Sequence, residues 1–148
     1  MKKILWCKRG AAWSDVAPLV LRLAAGVVFF AHGWQKWSGD MSQFGGFLGN
    51  LGIPGSEFFA WVVTIVEAVG GAALILGIFT HLAAKLLAID MAFAFFLVHA
   101  SKGLFISNGG YEFVLVLFAA SVSLMITGPG KWSLDAMLSK KESASPTK

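Results

Sequence analysis

Four long runs of this chain are dominated by apolar residues, and the polar positions inside them are few enough to name. The first run extends from about Val16 to Gln35, the second from Ser56 to Phe79, the third from Leu82 to His99 and the fourth from Glu112 to Thr127. Each approaches the roughly 20 residues a helix needs to cross a hydrocarbon core about 30 Å thick. Between the first two runs, Phe44, Phe47, Leu48 and Leu51 recur at i, i+3, i+4 and i+7, the stripe of a short amphipathic helix. That segment is too short to span and is expected to lie in the interface. The pattern predicts an all-α fold: a polytopic membrane four-helix bundle with a short amphipathic interfacial helix between helices 1 and 2.

The connections fit this division. Thr80-His81 predicts a tight turn, with Thr80 capping the third helix. Gly128-Pro129-Gly130 stops the fourth run, and Ser133 is placed to cap a short surface helix. Beyond Leu138 the polar tail is expected to be disordered. Residues 1–15 then form a basic segment, 16–130 the transmembrane domain and 131–148 a terminal segment and tail.

Composition agrees with a membrane class. The chain is 57% hydrophobic and 14% charged, where a soluble domain carries about 25% charged residues. A net charge of +4 raises nucleic-acid binding, but the basic residues sit at the ends of apolar runs, so no nucleic-acid partner is expected. Four spans place both termini and the second turn on one side. Nine of the basic residues lie there, against Lys36 and Lys102 on the other, which predicts cytoplasmic N- and C-termini. Trp13 and Trp132 fall at the predicted inner interface, and Trp34, Trp37 and Trp61 at the outer one. Cys7 is the one cysteine, which excludes an internal disulfide and the paired thiols of a dithiol oxidase. No A-x-A-like cleavage site follows the first run, which is read as retained.

Ionisable groups inside such spans are costly and usually mark function or pairing. At about 1.5 Å per residue, Arg22 lies in the inner third, Glu67 and Asp90 near the middle, and His32 in the outer third. Lys36, His99, Tyr111 and Glu112 collect near the outer surface. Facing, at about 100° per residue, aligns Arg22, Gly26, Phe29, Gly33 and Lys36 on the first helix. The second aligns Ala60, Thr64, Glu67, Gly71 and Leu74, and the fourth Glu112, Val116, Ala119 and Ser123. Asp90 and His99 project to nearly opposite sides of the third, so one of them faces another helix interface or another protein chain. A homo-oligomer is left open by that choice.

Two levels of chemistry follow. Arg22 is expected to form a structural ion pair with Glu67 or Asp90. His32, His99 and Glu112 are candidates for proton exchange near neutral pH, with Lys36 and Tyr111 as hydrogen-bonding ligand residues and Phe29, Trp34 and Phe95 as stackable walls. No HxxxH or EHxxH-type spacing points to a metal or haem.

At this point the chain resembles the DoxX family of small bacterial membrane proteins, from about Leu19 to Asp135. The resemblance rests on Arg22 and Gly26 followed by His32-Gly33-Trp34-Gln35-Lys36, on Glu67 before Gly70-Gly71 and on His99 before Gly103. Gly110-Tyr111-Glu112 and the closing Gly128-Pro129-Gly130-Lys131-Trp132-Ser133-Leu134-Asp135 complete it. The resemblance implies a four-helix membrane bundle in the bacterial inner membrane, serving a redox or detoxification system. Related proteins include a subunit of a thiosulfate:quinone oxidoreductase, and others are linked to quinone and thiol stress. Three readings stand: a component that binds a quinone or similar lipophilic redox compound at the outer end of the bundle, whether or not it is itself an oxidoreductase subunit; a non-catalytic scaffold docking soluble redox enzymes; and a transporter of a small lipophilic molecule.

Overall fold

The computed structural model describes residues 11–143, with side chains from 16 to 140. The basic residues Lys2, Lys3, Lys8 and Arg9, the Trp13 side chain and the last five residues lie outside that range, and with them part of the charge and tryptophan pattern read above. The elements are α1 (Ala11–Ser38), α2 (Met41–Asn50), α3 (Ser56–Leu76), α4 (Thr80–Ala94), α5 (Glu112–Thr127) and α6 (Leu134–Ser143), and no strand occurs among the described residues. Helix α4 runs on through a π-helical turn at Phe95–His99 and a 3-10 turn at Ala100–Lys102. The apolar segments Val16–Ser38, Ser56–Leu76 and Thr80–Lys102 are long enough to cross a membrane. Helix α5 has 16 residues, about 24 Å at 1.5 Å per residue. The chain is a membrane-type helical bundle.

Its surface is turned inside out relative to a soluble protein. Val20, Val27, Val69, Phe93, Phe96 and Val116 are exposed, whereas Arg22, Thr64, Glu67 and Ser121 are buried. Water would penalise that distribution, and hydrocarbon favours it. The core is built on Phe29, Leu74, Leu87, Leu117 and Leu124.

Helices α1 and α3 form the tightest pair. A Cβ on Gly33 would collide with the Ala68 backbone, and one on Gly71 with the backbone of Phe30. Small residues thus let the two main chains touch, the usual route to helix association in lipid. The inward stripes read from the sequence hold for this pair: Arg22, Gly26, Phe29 and Gly33 on α1 and Ala60, Thr64, Glu67, Gly71 and Leu74 on α3 are all buried. Helix α2 lies against α3, with Gly45 and Leu48 buried.

Helix α5 turns a different face inward from the expected one. Val114, Leu117, Ser121 and Leu124 are buried, while Val116 is exposed. The helix is apolar all round, so its sequence carries little periodicity, and the assumption that Glu112 points inward set the wrong phase. Thr80 is the first residue of α4 rather than its cap. The turn is Gly77-Ile78-Phe79, with Gly77 at φ 67° and Phe79 at φ 48°. Ser133 does cap α6: its Oγ accepts from the Ala136 N–H at 3.1 Å. That helix continues to Ser143, past the expected onset of disorder at Leu138.

Candidate functional site

Two polar centres lie in opposite halves of α1, at Arg22 and at Lys36. At one end the Arg22 side chain is fully buried. Its Nη1 donates to the Leu74 carbonyl at 3.3 Å and its Nη2 to the Trp132 carbonyl at 2.6 Å. Leu74 lies in the last turn of α3, so the guanidinium sits where the helix dipole favours a cation. Gly77 must be glycine here: its φ is left-handed, and a Cβ would collide with the guanidinium. Asp135 completes the arrangement. Its Oδ1 accepts from the Phe79 N–H at 2.8 Å and its Oδ2 from the Thr80 N–H at 2.9 Å, capping α4. Partial burial raises the Asp135 carboxyl, but the N–H of Thr80, then that of Phe79, and nearby His81 outweigh it and hold the group below its ordinary 3.8.

The expected pairing of Arg22 with Glu67 or Asp90 is therefore corrected. Its partners are backbone carbonyls, with Asp135 contributing charge from nearby. Sequence separation hid them, since Trp132 lies 110 positions away. The signal available was the closing motif itself, which contains both Trp132 and Asp135.

At the other end, Lys36 of α1 makes an ion pair with Glu67 of α3. Side-chain exposure is 23% for Lys36 and 6% for Glu67. Depth along the helices had separated them. A lysine stem is long enough to close that gap, and here it bends into the bundle instead of snorkelling out. Gly70 of α3 packs against Leu87 of α4, and Asp90, one turn beyond Leu87, is half-buried with its Oδ2 buried and without a hydrogen-bond partner. Thr64, one turn from Glu67, donates to the Ala60 carbonyl at 2.8 Å and leaves the carboxylates alone. The Lys36 ammonium also stands 5.4 Å from the centre of the Phe44 ring, within cation–π range.

Lys36 also lines an open cleft of about 520 Å³ between the end of α1 and α2. Gln35, Gly39, Asp40, Gln43, Phe44 and Phe47 form the rest of its wall. Asp40 shapes this wall as the α2 cap, its Oδ1 accepting from the Ser42 hydroxyl at 2.7 Å and the Ser42 N–H at 2.9 Å. Those bonds, the hydroxyl's first, hold its carboxyl below the ordinary value. The sequence reading took Phe44 and Phe47 as an interfacial stripe and did not single out Gln35 or Gln43.

The remaining candidates lie near this end but are otherwise engaged. His99 Nδ1 donates to the Gly109 carbonyl at 2.6 Å, and Glu112 Oε1 accepts from the Ile106 N–H at 2.7 Å. Both tie down the connection between α4 and α5. Tyr111 packs edge-on against Phe95 at 4.9 Å, and the exposed His32 packs against Phe113 at 5.8 Å. Trp34 is 58% exposed and stacks on Phe30, while Phe29 is buried in the core. None of these lines the Lys36 cleft. Among the described residues, no group of three or more His, Cys, Asp or Glu is arranged to hold a metal ion.

An apolar exterior, small-residue helix seams and buried ionic groups define an integral membrane protein of the helical-bundle class. The chain belongs to the DoxX family, whose profile matches residues 17–100. It is similar to the Bacillus subtilis protein named "Putative oxidoreductase CatD", 31% identical over 85% of this chain and 90% of that one. It is also similar to an uncharacterized membrane protein of Mycobacterium tuberculosis, 34% identical over 85% of this chain and 83% of the relative. The inner membrane protein YqjF of Escherichia coli is 30% identical over 86% and 95%, respectively. No solved structure matches this chain.

Proposed function

We propose that this protein is the membrane component of a redox system and binds a quinone, or a similar lipophilic redox compound, in the Lys36 cleft. One observation carries the reading: Lys36 belongs at once to a part-buried ion pair and to the wall of an open cleft of about 520 Å³, within the usual size range of small-molecule sites. Phe44 and Phe47 offer faces for a flat ring, and Lys36, Gln35 and Gln43 offer donors for its carbonyl oxygens. The oxidoreductase name of the Bacillus subtilis relative is in keeping with this chemistry. Against transport, Phe29 lies midway between Arg22 and Lys36 on α1 and is buried in the apolar core. The excess of basic residues on the side of the termini supports a bundle in a bacterial inner membrane with that side in the cytoplasm.

The test is binding of a short-chain benzoquinone or naphthoquinone to the protein in lipid nanodiscs, corrected for partition into empty discs. Lys36→Met is expected to weaken it about tenfold, the equivalent of one charge-assisted hydrogen bond, and Phe44→Ala less. Binding no greater than in empty discs, or untouched by Lys36→Met, would overturn the reading.

A second reading, docking of a soluble redox enzyme, is favoured by one feature. Trp132, Leu134, Met137 and Leu138 are exposed beside an open cleft of about 390 Å³ at the Arg22 end. If removal of residues 134–148 leaves quinone binding intact but abolishes co-purification of any oxidoreductase, both functions reside in one chain.

A further inference from the structure

One irregular segment of the chain lies at the depth of a membrane span. Helix α4 and its continuation form the apolar segment Thr80–Lys102, of 23 residues, about 35 Å long, whereas α5 measures about 24 Å. The two helices pack side by side, and their ends on the Arg22 side are level: His81 Nδ1 donates to the Met125 carbonyl at 3.0 Å. Helix α5 therefore stops about 10 Å short of Lys102, and about 6 Å short of crossing a hydrocarbon core roughly 30 Å thick. Residues 103–111 fill the difference. They are fixed beside the last turns of α4, with the Gly109 carbonyl bonded to His99 at 2.6 Å and Tyr111 packed on Phe95 at 4.9 Å. Leu104, Phe105 and Ile106 are exposed on this loop, Phe105 by 63%, with polar Ser107 and Asn108 next to them.

Irregular chain is normally kept out of lipid by its unmet N–H and C=O groups. Here the N–H groups of residues 108–112 all donate, at 2.8–3.1 Å, to the carbonyls of Gly103, Leu104, Phe105 and Ile106. Glu112 Oε1 accepts from the Ile106 N–H at 2.7 Å, and His99 supplies the Gly109 carbonyl. These two side chains do for the loop what a further helical turn does for itself. Main-chain bonds turned inward and apolar side chains turned outward leave a protein partner few groups to pair with, whereas acyl chains require none. We propose that residues 103–111 form a lipid-inserted loop, seated where headgroups meet acyl chains at the Lys36 end, which completes the crossing that α5 is too short to make. Phospholipid covers its apolar face, with Leu104, Phe105 and Ile106 among the chains and Lys102, Ser107 and Asn108 at headgroup level. This holds whatever the Lys36 cleft binds.

Spin labelling of the full-length protein in dioleoylphosphatidylcholine nanodiscs, on a Cys7→Ser background, tests the proposal. Nitroxides are placed through Phe105→Cys, Ile106→Cys and Asn108→Cys, with the exposed Val116 of α5, as Val116→Cys, for reference. Labels at the first two sites are expected to collide more with oxygen than with a water-soluble nickel chelate, as on Val116→Cys, and the order should reverse on Asn108→Cys. A preference for nickel at Phe105→Cys and Ile106→Cys would overturn the insertion. So would shielding from both reagents, the mark of a second copy or another protein over the loop. Should a label disturb the loop, wild type decides alone. A phospholipid carrying a diazirine on its acyl chain, photolysed in the same nanodiscs, is expected to leave adducts on Leu104, Phe105 or Ile106 as well as on the exposed Phe96; adducts on Phe96 only would sink the idea. The Ile106 amide should exchange with deuterium about tenfold faster in Glu112→Ala, for one lost bond to a carboxylate, and an unchanged rate would count against the closed backbone that insertion requires.

Discussion

At the Arg22 end of the bundle, one cation is met by two backbone carbonyls on different segments, with a carboxylate nearby that is itself bonded to two N–H groups. At the Lys36 end, one cation is paired with the Glu67 carboxylate and lines an open cleft. The first centre leaves Arg22 Nε and Thr80 Oγ1 unpartnered but stitches α1, α3, α4 and the approach to α6 together. The second faces outward. Unmet polar atoms occur at both ends; what sets the Lys36 end apart is a cation on the wall of an open cleft, where a ligand can reach it.

Four substitutions probe that contrast. Arg22→Met should be the most damaging to stability, about 3 kcal/mol, since it removes two hydrogen bonds made by a charged donor whose side chain is fully buried. Reversible unfolding in detergent would measure it, with earlier proteolysis in α6 as the local sign. Lys36→Met should cost less, about 2 kcal/mol, because the lysine is 23% exposed and its pair falls short of a fully buried one. A double-mutant cycle with Glu67→Gln isolates the pair. If Lys36→Met proves the more destabilising of the two, the contrast between a structural end and a functional end fails.

Asp135→Asn comes third, at about 1 kcal/mol for a weakened helix cap. Its carboxyl lies below the ordinary 3.8 in the folded protein, so its contribution is complete above that value and is lost as pH falls through the lowered one. Acid titration of stability should therefore flatten below about pH 4 in Asp135→Asn relative to wild type. His99→Ala should be the mildest, under about 1 kcal/mol for one connection bond, with quinone binding unchanged. Loss of binding in His99→Ala but not in Lys36→Met would move the site back to His99 and Glu112.

The sequence was most informative where small and polar residues alternate with large apolar ones. Gly26, Gly33, Glu67 and Gly71 give α1 and α3 a readable face, and both faces were assigned correctly. Helix α5 has no such contrast around its circumference, so its phase was lost. Depth counted by residue describes Cα positions and not the reach of long side chains, which is why Lys36 was assigned to the surface, whereas Arg22 was matched to Glu67 or Asp90 as the acidic groups of the spans. Carbonyl partners such as those of Leu74 and Trp132 leave no trace in residue identity, and no count of charged groups would have found them.

The contact of α1 with α3 also bears on traffic. Where Gly33 meets Ala68 and Gly71 meets Phe30, the seam has no room for a methyl group, so a molecule dissolved in the bilayer has no passage between these two helices. The approach to Lys36 runs past α2, which is joined to α1 at Gly39 and followed by Gly52 and Gly55 in left-handed conformations. A guest in the bilayer would therefore reach Lys36 from the α2 side, past Gln43, Phe44 and Phe47.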